Sequence, residues 1–63
     1  MKPTDLELYL LLRVTVANRD AEGTRQALRH IAEQLPDQEG HKIVGQIRRT
    51  MPGSCTLWLS QLR

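Results

Sequence analysis

Disulfides, metal fingers and aromatic stacking platforms all lie out of reach of this 63-residue chain, because it holds too few of the residues they need. Cys55 is its only cysteine, so no intrachain bridge can staple the fold. A lone thiol fits a reducing setting, and we expect a cytoplasmic protein. Phenylalanine is absent, and Tyr9 and Trp58 are the only aromatic residues. That excludes the interleaved aromatics of a single-strand nucleic-acid binder. Long apolar runs are missing too. The longest is Leu8 to Leu12, far short of the roughly 20 residues that span a bilayer. Asp5, Glu7 and Arg13 break up any hydrophobic region after Met1-Lys2, so we expect neither a signal peptide nor a membrane segment. Neither sign of charge dominates: nine Lys and Arg stand against seven Asp and Glu, for a net charge of +2 and a pI near 9.2. That balance permits contact with nucleic acid without requiring it.

Catalytic letters are present but scattered. Ser54, Cys55, His30 and His41 belong to no motif that sets a base beside a nucleophile. His30, His41 and Cys55 lack metal-finger spacing. Gly40 and Gly45 lack the Lys-Ser/Thr of a phosphate loop. The reading is a non-enzymatic protein with no cofactor and no metal, in which Cys55 is a buried structural thiol.

What the chain does have is a regular alternation. From Leu6 to Ala17, the residues Leu6, Leu8, Leu10, Leu12, Val14 and Val16 are all apolar. A period of two predicts a long β-strand with one greasy face, and Val14-Thr15-Val16 adds β-branched residues that favour a pleated surface. On this reading Leu10 lies at the centre of the buried face, and an aspartate there would abolish folding. Thr4 and Glu7 have capping-box spacing, which makes a helix from here the competing reading.

Asn18-Arg19-Asp20 ends the strand with turn and N-cap residues. Gly23 weakens the turn that follows. Ala27, Leu28, Ile31, Ala32 and Leu35 then recur at spacings of three and four, predicting an amphipathic helix that Pro36 stops. The segment PDQEGH, residues 36 to 41, reads as a loop. Residues 42 to 51 fit either element. As a helix, Ile43, Val44, Ile47 and Met51 form a stripe; as a strand, Ile43 and Ile47 share a face. Met51-Pro52-Gly53-Ser54 is a strong turn signal, and the alternation of Cys55 to Ser60 after it favours a hairpin.

The expected fold is therefore a single α+β domain, residues 1–63, of β-α-β-β type, with one helix packed on one face of an antiparallel sheet. One helix covers one face only. Tyr9, Leu11, Trp58 and Leu62 then fall on the second face, and a Trp, a Tyr and two leucines make an apolar patch there. So small a domain without staples often recovers stability by self-association. The expected function is a protein-binding module, of adaptor, inhibitor or mobile-element accessory type, that forms a homodimer through this second sheet face.

A second expectation rests on a resemblance. Arg13-Val14-Thr15-Val16, a following helix, a loop with Gly40 and a second helix from His41 to Met51 resemble a ribbon-helix-helix DNA-binding protein. The resemblance runs from Arg13 to Met51, and a strand-like tail follows it. It implies a dimeric regulator of β-α-α type with a C-terminal strand, in which the paired strands enter the major groove. Arg13 and Thr15 would then read bases. Lys42, Arg48 and Arg49 are the basic residues available for further nucleic-acid contacts.

Overall fold

The computed structural model describes residues 3–62. They form four helices joined by short connections: α1 (Pro3–Ala17), α2 (Ala21–Gln34), α3 (Asp37–Thr50) and α4 (Gly53–Gln61). No strand occurs among the described residues. This overturns the β-α-β-β fold and, with it, the ribbon-helix-helix alternative. Both needed a strand over Leu6 to Ala17.

The physical reason lies in what a period of two means on a helix. Residues two apart are separated by about 200°, nearly opposite sides of the cylinder. The alternating set therefore divides into two stripes of period four. Leu8, Leu12 and Val16 face the core and are buried. Leu6, Leu10 and Val14 face outward at 47%, 48% and 55% exposure. An aspartate at position 10 would thus enter water, and the expected loss of folding no longer follows.

The end of α1 is closed by backbone alone. Arg19 N–H donates to the Val16 carbonyl and Asp20 N–H to the Thr15 carbonyl, at 3.1 and 2.9 Å. This is the paired Schellman arrangement, which needs a left-handed residue after the helix. Arg19 supplies it with φ of 55°, at a cost of about 1–2 kcal/mol that glycine would avoid. Asp20 then caps α2: its side chain accepts from Gly23 N–H at 2.9 Å. Gly23 strengthens this turn, contrary to its expected weakening. A Cβ there would collide with the Asp20 carboxylate and lie 3.0 Å from Thr15 Cγ2.

The α2 stripe is as expected. Ala27 and Ile31 are buried, and Leu28 and Leu35 are half-buried against the core. Beyond it the two prolines act differently from the sequence reading. Leu35 and Met51 are extended C-caps, and Pro36 and Pro52 each precede a new helix. A residue before proline is pushed out of the helical region, while a proline at a helix start loses no internal hydrogen bond. The Pro36 carbonyl accepts from Gly40 N–H at 3.0 Å, and the Pro52 carbonyl from Cys55 and Thr56. So residues 37–41 are helix and not loop, residues 42–51 take their helical stripe, and Pro52-Gly53 starts α4 in place of a hairpin turn.

α1 and α3 each touch all the other helices, while α2 and α4 stand on opposite sides and do not meet. Leu12 and Val16 from α1 and Ile47 from α3 are completely enclosed between them. Cys55 and Leu59 close the core from α4, which bears out the buried reading of the thiol. Among the described residues no helix is long and apolar enough to cross a membrane.

Candidate functional site

With no sheet there is no second sheet face, and the four residues expected on it separate. Tyr9 and Leu11 are two positions apart on α1 and so point in nearly opposite directions. Tyr9 is half-buried against the core, whereas Leu11 is exposed. Trp58 and Leu62 are also half-buried against the core. Of the four, only Leu11 belongs to the outer side of α1, beside Leu6, Leu10 and Val14. The sequence reading missed these last three because it had placed them inside.

The outer side of α1 is the largest apolar feature in view. Glu7 and Arg13, both exposed, flank the stripe three residues before and after Leu10. A helix that is apolar on both sides is ordinarily buried on both sides.

Arg13 is engaged. It donates to the Tyr9 hydroxyl at 2.9 Å, and Thr50 Oγ1 lies 3.2 Å from the same oxygen. Thr50 in turn donates to the Gln46 carbonyl at 2.7 Å. This chain of contacts ties α1 to α3. The Thr50 hydroxyl, and after it Arg13, hold the Tyr9 phenol below its ordinary value of 10.0. The folded state therefore favours tyrosinate: the contribution to stability is present above the unfolded pKa and is lost as pH falls through the folded one. Because Tyr9 is the only tyrosine, absorbance at 295 nm follows it alone. We expect a midpoint below 10 in the native protein, a higher midpoint in Arg13→Ala and a still higher one in Thr50→Val. A native midpoint equal to that of the urea-unfolded chain would remove the contact from solution.

Thr15 is buried and donates to the Leu12 carbonyl at 2.9 Å. Neither member of the expected base-reading pair is thus presented for bases. Lys42, Arg48 and Arg49 are exposed on α3 together with His41. Lys42 pairs with Glu39 at 3.7 Å, a loose surface contact of little energetic worth. Between α3 and the start of α1 lies an open groove of about 630 Å³, lined by Asp5, Lys42, Gly45, Gln46 and Arg49 among others. Asp5 is buried, and its Oδ1 finds no hydrogen-bond partner among the described residues. No three of His, Cys, Asp and Glu come together there in a way that could hold a metal ion.

A further residue was absent from the sequence reading. Arg19 donates to the Ser54 carbonyl at 2.9 Å and lies over the Trp58 ring, 6.0 Å from its centroid. It fastens the α1–α2 turn to α4, which α2 itself does not reach. The only trace of this in the sequence is a non-glycine residue between Asn18 and Asp20, where a left-handed turn is called for. No family model matches the chain, and no curated protein or solved structure matches it significantly.

Proposed function

We propose that the chain is a small cytoplasmic protein-binding module without enzymatic activity, whose partner is a second copy of itself. The observation that supports this reading is the outer stripe of α1. Leu6 and Val14 stand four residues on either side of Leu10 and are exposed like it. A twofold axis through Leu10 sets Leu6 against the partner's Val14, so one stripe serves both subunits, as a closed symmetric dimer requires. Rows of residues four apart are also the ridges that most often interlock between helices. Glu7 and Arg13 then become the polar rim.

The area is consistent with a dimer. A stable interface takes about 800 Å² from each partner, under a fifth of the 4463 Å² surface of the described residues. The outer side of a 15-residue helix gives roughly half of that, being about 22 Å long and 10–12 Å wide. The helices beside α1 supply the rest. Completing the burial of each half-exposed leucine contributes roughly 1 kcal/mol. The cytoplasmic placement rests on the lone buried thiol.

Sedimentation of the wild type and of Leu10→Asp tests the reading. The variant sets two carboxylates at the centre of the interface, while its own fold keeps position 10 in water. We expect a wild-type dimer at micromolar concentration and a folded monomeric variant with unchanged helical circular dichroism. A wild type that is monomeric at 200 μM would overturn self-association.

A further inference from the structure

We infer that the outward arc of α3 is a docking face for duplex nucleic acid, held through the phosphate backbone. At 100° per residue, Arg48, His41, Gly45, Gln38, Arg49 and Lys42 fall in that order across about 120° of the helix. All except Gly45 are exposed. Seven acidic residues are available in the chain, and none falls inside this arc. Asp37 stands at its edge on the first turn, and Glu39 lies on the side toward α1.

The distribution is not accounted for by helix electrostatics. Arg48 and Arg49 occupy the last turn of α3, where the negative end of the dipole welcomes cations. His41 and Lys42 are in the first half, where the dipole gives them no such help. Their shared direction with Arg48 and Arg49 therefore calls for an anion outside the protein. Lys42 and Arg49 are seven residues apart, about 10.5 Å along the axis, and both line the groove described above. Gly45 lies between them. A Cβ built there meets nothing within 4 Å, so no neighbour requires a glycine at that position. Its lack of a side chain leaves the middle of the arc low, and a phosphate ridge can come close to the backbone there.

The make-up of the arc selects among polyanions. It carries no aromatic residue, so single-stranded bases have nothing to stack on. It carries no apolar residue, so it has nothing to insert into a lipid surface. It has neither the apolar centre nor the aromatic anchors of a protein interface. Cations, amides and an open backbone suit phosphates held at fixed spacing, which is what a duplex provides. This face is distinct from the outer stripe of α1 and needs no dimer to act.

The test is fluorescence anisotropy of a labelled 20-base-pair DNA duplex with the intact chain at 50 to 200 mM salt. We expect micromolar binding whose logarithm falls linearly with the logarithm of salt. Lys42→Ala with Arg49→Ala should reduce that slope by about two, one for each lost phosphate contact. Gly45→Glu places a carboxylate in the open middle of the arc and replaces glycine by a better helix former. It should keep the helical spectrum and weaken binding at least tenfold. Absence of duplex binding in the wild type would overturn the proposal, as would undiminished binding by folded Gly45→Glu. Binding to the single strand, or to vesicles of anionic lipid, at least as tight as to the duplex would overturn it equally. Leu10→Asp should bind the duplex with a measurable salt slope whether or not it is monomeric, which keeps this outcome separate from that of self-association.

Discussion

Leu12→Ala should leave a large fraction of the chain unfolded at room temperature. Leu12 is completely enclosed, on the one stripe of α1 that reaches the core. Truncating such a side chain loses its transfer energy and leaves a cavity, at about 2–5 kcal/mol. Domains of this length hold roughly 3–9 kcal/mol in all, so the loss takes much or all of what is available. Leu6→Ala is the control. It makes the same chemical change on the same helix, at a position 47% exposed, and should cost less than about 1 kcal/mol. Urea titrations of both variants, read by helical circular dichroism, decide the matter. Similar midpoints for the two would mean that α1 does not present Leu12 to the core.

The second expected result concerns the α1–α2 turn. Arg19→Ala should lower stability by about 1–2 kcal/mol, through the lost bond to the Ser54 carbonyl and the lost contact with Trp58. In a domain of this size that corresponds to a fall in Tm of roughly 5–15 °C. Arg19→Gly loses the same contacts but relieves the left-handed backbone, and should recover about 1 kcal/mol of the deficit. A separate readout comes from Trp58, the only tryptophan. Its emission should move in both variants, because the guanidinium leaves the ring. If Arg19→Ala melts at the wild-type temperature with unchanged Trp58 emission, the clasp does not form in solution.

How much could be read in advance follows from what each residue pattern specifies. The α2 stripe was legible because Ala27, Leu28, Ile31 and Leu35 lie on one side only, and because Asp20 caps and Pro36 stops that helix. Cys55 was legible because its apolar neighbours bury it in either kind of element. The helical stripe of α3 was visible, yet the hairpin signal of Pro52-Gly53 outweighed it. A proline followed by glycine is a turn signal only if the chain reverses as a strand; here Pro52 merely opens the next helix. α1 was misread because alternation of apolar residues also arises from two opposite helical stripes. The candidate surfaces followed the fold. Leu6, Leu10 and Val14 were hidden by the strand reading, while the basic residues of α3 were noticed and their common direction was not. Direction depends on the element, and no count of charges provides it.

The two stripes of α1 also set a problem of uniqueness. Leu6, Leu10 and Val14 repeat the spacing of Leu8, Leu12 and Val16, so a half-turn of the helix about its axis would offer the core a second set of leucine-sized side chains. Such near-equivalent packings roughen the energy landscape, and a sequence folds to one state only where something separates them. Here the separation comes from the turn. The Schellman bonds of Arg19 and Asp20 fix where α1 ends, the Asp20 cap and the close approach of Gly23 fix where α2 begins, and the Arg19 side chain refers both to α4. The turn thus acts as a key that admits only one rotation of α1, and the leucines left outside by that choice are the ones free to meet a partner.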